Sequence, residues 1–282
     1  MLIFFYILKK GVMKVALCCI GRLENQYAVE FVEWYKNLGF DKIFIYDNNH
    51  ENEERFEDVL QPYIDEGLVE VVPFRNLENV QLKAYTSCYN RYNKDYDWIA
   101  FFDFDEFLVL KNDTNIHDFL EKFNDFDCVK INWIGYTDNN IVTNDGRPVN
   151  ERFTQPTDLD LCVQYNFPEN YHVKSIVKCG KENFIWQWSP RIPMCVTKAC
   201  NPDGVRVDNS PFQPYTYQNT YIKHFSTKTL EEYMKLKLRR GVADRNYDMF
   251  VKTYGLSKFF KYNEKTPEKE EFLKNLIINK NK

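Results

Sequence analysis

Residues 98–110 have the sequence WIAFFDFDEFLVL, in which three carboxylates lie between two short apolar runs. Short apolar runs that are rich in aromatic and β-branched residues indicate buried strands. Carboxylates between buried strands are costly unless a counter-charge compensates them. A divalent cation is a common compensation for a pair such as Asp103 and Asp105, because hard oxygen ligands suit Mg²⁺ and Mn²⁺. The stretch therefore predicts a metal site, and an acidic surface loop is the alternative because the motif is very short.

The chain before this stretch alternates between strand and helix patterns. Such alternation is typical of parallel βαβ units, so we expect an α/β fold with a mostly parallel central sheet. Sheets of this kind bind ligands beyond the carboxyl ends of their strands. The predicted strands cover residues 14–20, 41–46 and 68–72, and the predicted helices cover residues 27–38, 51–63 and 80–92.

The pattern after residue 110 is less regular. Thr114 is predicted to cap a helix that ends at Phe123. Thr229 and Glu232 have the spacing of a capping box, which predicts a helix through Arg240. A long polar loop is expected over residues 136–170, and loops of this length are usually functional. Further strands are predicted at residues 128–133, 171–177, 184–188 and 221–224. We expect one main domain over residues 13–265 and a charged, helical tail over residues 266–282.

Composition excludes some classes of protein. The 282 residues are 44% hydrophobic with a net charge of −4, which argues against nucleic-acid binding. The eight cysteines form no C-x-x-C pair and indicate reduced thiols in a reducing compartment. The apolar run before Lys9 is too short to span a bilayer and lacks the features of a signal peptide. We expect translation to start at Met13, with residues 1–12 a non-native extension or a short membrane-touching anchor, and a cytoplasmic location.

Polar residues follow the first two predicted strands. Arg22 and Glu24 follow the first strand, and Asp47 and Asn48 follow the second. Both strands should end at the ligand edge of the sheet, where a carboxylate can accept hydrogen bonds from ribose hydroxyls or a base N–H. An ordinary Asx turn is the alternative for Asp47.

Further candidates lie at the ends of other elements. Gln81 and Lys83 begin the helix before the aspartates, where a helix N-terminus favours anions, although solvated polar residues explain them as well. His224 ends a late apolar strand and could complete a metal site with two carboxylates, or be a core histidine. The surrounding basic residues indicate a patch for phosphate or a membrane surface, or a solvated helix face; they are Lys223, Lys228, Lys235, Lys237, Arg239 and Arg240.

Two acidic residues are candidates for a general base. Asp138 and Glu151 lie in the predicted long polar loop. Either carboxylate could remove a proton from an acceptor hydroxyl. The alternative for each is a solvent-exposed polar side chain with no chemical role.

Four blocks of the chain resemble GT-A glycosyltransferases of glycosyltransferase family 92 and their family-2-like bacterial relatives. They are ALCCIGR at residues 16–22 with EFVEWY at 30–35, IYDN at 45–48, DFDEF at 103–107, and KHFSTK at 223–228. Shorter similarities are NWIGY at 132–136, ERF at 151–153 and VKSIV at 173–177. Because the blocks keep their order over residues 14–241, the resemblance is more specific than a D-x-D motif alone.

The resemblance implies a GT-A fold, the Rossmann-like fold of nucleotide-diphospho-sugar transferases, and a metal-dependent inverting enzyme. Asp103 and Asp105 would coordinate Mn²⁺ or Mg²⁺ at the donor diphosphate, with His224 as a further ligand. Asp47 would lie at the nucleoside, and Lys174 or Lys228 would stabilise the departing diphosphate. The expected reaction moves a hexose from a nucleoside-diphosphate sugar, UDP-linked, to a glycan or lipid-linked saccharide hydroxyl at the inner membrane face.

Two other functions remain as alternatives. A phosphotransferase of the haloacid-dehalogenase type also places D-x-D after a strand, but Thr or Val is expected where this chain has Phe107. Its aspartates also follow the first strand, whereas Asp103 follows the fourth predicted strand. The other alternative is a non-catalytic sugar-binding module, which would not hydrolyse a UDP-sugar.

Overall fold

The structure is a computed structural model that describes residues 12–162, 168–182, 185–186, 192–238 and 255–280. Within these residues, ten strands join into one sheet. The strands are β1 Val15–Gly21, β2 Lys42–Asp47, β3 Val69–Pro73, β4 Trp98–Phe101, β5 Glu106–Leu110, β6 Cys128–Gly135, β7 Val173–Lys178, β8 Ala199–Cys200, β9 Arg206–Val207 and β10 Thr220–His224.

Eight α-helices lie between and after these strands within the described residues. They are α1 Asn25–Asn37, α2 Glu57–Asp65, α3 Gln81–Tyr92, α4 Ile116–Glu121, α5 Val149–Arg152, α6 Leu230–Glu232, α7 Gly255–Tyr262 and α8 Pro267–Lys280. A 3₁₀ turn covers Glu169–Tyr171, and α6 continues directly into a π-helical turn over Tyr233–Lys237. None of the described helices is both long and apolar enough to cross a bilayer.

The expected α/β fold is confirmed, and its sheet is mixed. The strand order is β3-β2-β1-β4-β7-β6-β10-β5, with β8 beside β6 and β9 beside β8. The first four strands in this order are parallel, whereas β7 is antiparallel to both β4 and β6, and β5 is antiparallel to β10. Only four residues separate β4 from β5, too few for the crossover that a parallel pair needs. β5 does not pair with β4 and instead pairs with β10 at the other edge of the sheet.

Aromatic residues fix the acidic turn to the core. The ring of Phe104 lies 4.7 Å from that of Phe31 on α1 and stacks on Phe56 at 5.2 Å. Gly21, at the end of β1, makes room for this ring, because a Cβ there would lie 2.5 Å from a Phe104 carbon. Burial of Phe104 directs the flanking aspartates away from the core, towards the carboxyl ends of β1, β2 and β4.

Several local predictions needed adjustment. α2 begins at Glu57 rather than near residue 51, and the side chain of Asn115, not Thr114, caps α4 by accepting from the Asp118 N–H at 2.9 Å. The predicted loop over residues 136–170 contains α5, and the short strands β8 and β9 were not predicted. Most of residues 184–188, and Arg239 and Arg240, lie outside the described residues.

The predicted capping box is confirmed. The Thr229 hydroxyl accepts from the Glu232 N–H at 3.1 Å, and the Glu232 carboxylate accepts from the Thr229 N–H at 3.0 Å. Glu232 also accepts two hydrogen bonds of 2.9 Å from Arg152 and one of 2.7 Å from Tyr27. The start of this helix is thereby tied to α5 and α1.

The C-terminal segment, expected to be a charged tail, docks on the domain through a buried ion pair. Lys269 on α8 lies 2.6 Å from Asp138, and both side chains are almost completely buried. Lys269 also donates to the Asn140 side chain at 3.0 Å, and the Asp138 N–H donates to Asn263 at 2.7 Å. Removing one member of a buried pair leaves an uncompensated charge in the interior.

We therefore expect Lys269→Met to lower the free energy of unfolding by about 3–5 kcal/mol. Urea denaturation of the variant and the wild type measures this change. Lys274→Met on the exposed side of α8 is the control, because it should change stability by less than about 0.5 kcal/mol. Equal stabilities for Lys269→Met and the wild type would show that this segment is a tail that the domain does not need.

Candidate functional site

The acidic turn presents three carboxylates to one end of the sheet. Asp103 and Asp105 flank the anchored Phe104, and Glu106 begins β5. The Asp103 N–H donates to Glu106 Oε2 at 2.9 Å, so the turn is held closed by one of its own carboxylates. The side chain of Glu106 is fully buried, whereas that of Asp103 is 32% exposed.

Three residues hold the carboxylate of Asp103. Its Oδ1 accepts hydrogen bonds from Gln81 at 2.7 Å and from the Tyr85 hydroxyl at 2.8 Å, both on α3. Its Oδ2 lies 2.7 Å from the ammonium of Lys174 on β7, and that ammonium is also 3.2 Å from Glu106 Oε2. Gln81 and Lys174 were predicted to contact the donor; here they orient Asp103.

Asp105, Glu106 and His224 form a compact group of potential metal ligands. One potential ligand atom from each of these three buried residues lies within 4.8 Å of the other two. His224 Nε2 is 3.8 Å from Asp105 Oδ1, and Lys237 lies 3.2 Å from the other oxygen, Oδ2. The imidazole packs on Trp133 with ring centroids 4.2 Å apart. Two of the three predicted ligands, Asp105 and His224, thus lie in this group together with Glu106, and Asp103 is not part of it.

Burial controls the protonation of this group. Burial raises the pKa of Glu106 well above its usual value, the nearby Lys174 opposes this shift, and Asp103 and Asp105 add to it. Burial also lowers the pKa of His224 well below its usual value, and Asp105 only partly opposes that shift. The imidazole is therefore neutral near pH 7, which is the form that binds a metal.

The donor set fits a divalent cation. Two carboxylates and one neutral imidazole suit Mn²⁺, and Mg²⁺ accepts the oxygen ligands. Glu106 Oε1 is buried and has no hydrogen-bond partner among the residues that the structure describes. A buried carboxylate oxygen without a partner is costly, and a bound cation would remove that cost.

The residues predicted at the nucleoside are engaged elsewhere. Asp47 is 2% exposed. Its Oδ2 lies 2.7 Å from Arg75, and its Oδ1 accepts two hydrogen bonds from Asn49. Asn48 donates to the backbone carbonyls of Phe74 and Leu77. These contacts hold the loop after β3 and fit a structural role better than direct contact with ribose.

The remaining donor candidates are spread around the same edge. Arg22 makes a bidentate pair with Glu53, with two 2.7 Å hydrogen bonds. Glu24 is buried beside α1, and Lys83 is exposed on α3. Lys228 has a left-handed backbone, with φ of 54°, and its ammonium lies 4.1 Å from the centre of the Tyr27 ring.

The two candidates for the general base differ in accessibility. Asp138 does not fit that prediction, because it is 1% exposed and paired with Lys269. Burial raises the pKa of Asp138, and the hydrogen bond from Lys269 opposes this rise. Glu151 is exposed on α5 and remains a candidate.

Sequence reasoning missed the separate roles of Glu106, Lys237 and Trp133. Glu106 was visible as the residue after the D-x-D, and Lys237 as one of several basic residues. No local pattern shows that Trp133 packs between two histidines, with its ring 4.2 Å from His224 and 4.9 Å from His172. These contacts join residues far apart in the sequence.

Comparison with known proteins identifies the family. The model of glycosyltransferase family 92 matches residues 14–240. The chain belongs to glycosyltransferase family 92. The four blocks that carry the resemblance lie within this match.

Family 92 relatives are similar over part of the chain. A glycosyltransferase family 92 protein of Ricinus communis is 31% identical over 111 residues, 34% of this chain and 17% of that protein. A second such match is 26% identical over 105 residues, 37% of this chain and 19% of the relative. This family 92 chain thus covers less than a fifth of the curated relatives. The solved structure of S. aureus TarS 1–349 in complex with UDP-GlcNAc has a TM-score of 0.43 and 11% identity, covering 92% of this chain and 78% of that chain.

The Arg22–Glu53 pair of this family 92 chain gives a prediction of pH dependence. The hydrogen bond from Arg22 lowers the pKa of Glu53 to about 2, below the ordinary value of about 4.3. A carboxyl group whose pKa is lower in the folded than in the unfolded state stabilises the fold at pH values above its unfolded-state pKa. This stabilisation is lost as the pH falls towards the folded-state pKa. Glu53→Gln should therefore destabilise the protein at pH 7, and the difference from the wild type should shrink at pH values below about 4.

Urea denaturation of both proteins across this pH range measures the effect. Glu66→Gln is the control, because Glu66 makes an exposed pair with Lys36 that should contribute little at any pH. A stability difference for Glu53→Gln that stays constant from pH 7 to pH 3 would contradict this role of the pair.

Proposed function

We propose that this family 92 chain is a metal-dependent, inverting glycosyltransferase with a GT-A fold that uses a nucleoside-diphosphate sugar, UDP-linked, as donor. The observation that carries the proposal is the buried group of Asp105, Glu106 and His224, in which Glu106 Oε1 has no hydrogen-bond partner among the described residues. Family membership supports glycosyl transfer, and the donor set suits Mn²⁺ or Mg²⁺.

The position of the group supports binding of a diphosphate. It lies directly after β4, at the edge where β1, β2 and β4 all end. Ligands of open α/β sheets bind at this edge. When bound, the cation supplies positive charge next to the departing diphosphate. Asp103 is partly exposed and is held by residues of α3 and β7. Its carboxylate can accept a hydrogen bond from a hydroxyl group of the nucleotide sugar.

The reaction we propose is a single displacement. A carboxylate, for which Glu151 is the accessible candidate, takes the proton of the acceptor hydroxyl. The acceptor oxygen forms a bond to the anomeric carbon as the bond from that carbon to the diphosphate breaks. The diphosphate departs with the electron pair, and Lys228 or Lys237 stabilises its charge. The acceptor we propose is a hydroxyl of a glycan or lipid-linked saccharide, reached at the cytoplasmic membrane face.

The alternatives predict different behaviour. A phosphotransferase would use Asp103 as a nucleophile, but this carboxylate is bound by Gln81, Tyr85 and Lys174. The family match also favours glycosyl transfer. A non-catalytic sugar-binding module would not cleave the donor, so slow metal-dependent hydrolysis of UDP-sugars separates it from an enzyme.

Asp105→Asn should abolish Mn²⁺ binding and donor hydrolysis while leaving the fold intact. The substitution is nearly isosteric but removes the negative charge that pairs with Lys237 and lies 3.8 Å from His224 Nε2. Isothermal titration with Mn²⁺ and assays with a panel of UDP-sugars measure both effects, with circular dichroism as the check on folding. Asp65→Asn, on the exposed side of α2, is the matched control. Normal Mn²⁺ affinity and turnover in Asp105→Asn would show that the metal site is assigned to the wrong residues.

A further inference from the structure

A π-helical turn brings one lysine to the proposed metal site. The turn covers Tyr233–Lys237 and follows α6 directly. π-helical turns are rare in proteins, but those that occur often lie at functional sites. The extra residue in such a turn shifts the following side chains around the helix axis. Lys237, at the end of this turn, reaches Asp105 at 3.2 Å and the Ser226 carbonyl at 2.7 Å. Lys235, two residues earlier, is instead exposed and paired with Glu231.

The beginning of this helix is rigidly held. Glu232 is bonded by Thr229, Arg152 and Tyr27, as described above. Five residues later, the Lys237 side chain contacts Asp105 of the acidic turn and the Ser226 carbonyl. The ammonium remains adjustable, because lysine carries its charge on a flexible four-carbon stem with rotatable donors.

Lys237 and the proposed cation share one carboxylate. Oδ1 of Asp105 faces His224 at 3.8 Å, whereas Oδ2 contacts Lys237 at 3.2 Å. In the chain alone, Lys237 thus provides counter-charge for Asp105. A divalent cation on the same carboxylate supplies that charge more strongly and repels the ammonium. The ammonium then needs a new anion within its reach.

The charges of the site indicate which anion this is. Lys174 and Lys237 contact the acidic turn, and the charge of Lys258 also acts on His224, so the carboxylates already have several positive charges nearby. A divalent cation adds two further positive charges, which favours binding of an anion next to it. The diphosphate of the proposed donor is the anion expected next to the cation.

We propose that Lys237 is a displaceable counter-ion, which pairs with Asp105 in the free protein and moves to the donor diphosphate when a divalent cation binds. This rests on the proposed function. Two effects of opposite sign follow. Without nucleotide, Lys237 competes with the cation for Asp105, so its removal strengthens cation binding. With the cation bound, Lys237 contributes a charge-assisted hydrogen bond to phosphate oxygens, so its removal weakens nucleotide binding.

The test compares Lys237→Met with wild type by isothermal titration, first with Mn²⁺ alone and then with UDP at saturating Mn²⁺. We expect Mn²⁺ to bind about threefold to tenfold more tightly to the variant, and UDP to bind about tenfold more weakly. Lys235→Met is the matched control, because it removes a lysine of the same turn that does not contact Asp105, and both affinities should stay at the wild-type values. Lys237→Arg keeps the charge and should retain UDP binding within about threefold.

Each other outcome has a definite meaning. If wild type binds Mn²⁺ but Lys237→Met binds it equally or more weakly, Lys237 is a fixed support and the inference is wrong, while the proposed metal site stands. Tighter Mn²⁺ binding with unchanged UDP affinity would overturn the transfer of Lys237 to the diphosphate. If the folded wild type binds no Mn²⁺, the inference and the metal dependence of the proposed function are both wrong. Thermal denaturation confirms that each variant is folded.

Discussion

The structure depends on compensation of three carboxylates at the turn from β4 to β5, of which Asp105 and Glu106 are buried and Asp103 is partly exposed. Phe104 packs into the core against Phe31 and Phe56, so the neighbouring aspartates cannot move away from the sheet edge. Their charges must then be balanced where they lie. Lys174 comes from β7 and Lys237 from the π-helical turn, and both reach the same acidic turn. Segments that are far apart in the sequence thus supply the positive charges that compensate the acidic turn.

The sequence was informative where structure is local. Apolar runs and helical periodicity located β1 to β4 with α1 and α3, and the Thr229 capping box located the start of α6. The acidic turn could be read as a site because carboxylates between apolar runs are unusual. His224 could be placed beside Asp105 because both end or follow strands of one sheet. In each case, the signal lay within a few residues.

The rest depended on pairings that no local pattern encodes. Asp47 looked like a nucleoside ligand, but Arg75 approaches from the loop after β3 and binds it. Asp138 was predicted as an accessible loop carboxylate, but it is buried in an ion pair with Lys269 on α8. Lys174 was expected at the diphosphate, and its closest anion is Asp103. A polar residue at a predicted edge is equally able to bind a ligand or a distant side chain, and only the fold decides between them.

In the proposed site, Asp105, Glu106 and His224 hold a divalent cation near the end of β4. The most direct measurement is anomalous X-ray scattering at the manganese edge from crystals grown with Mn²⁺ and UDP. We predict one strong peak with oxygen and nitrogen ligands from these three residues at about 2.0–2.3 Å. A manganese peak bound to Asp103 and away from His224, or no peak at the acidic turn while UDP is bound, would contradict this account.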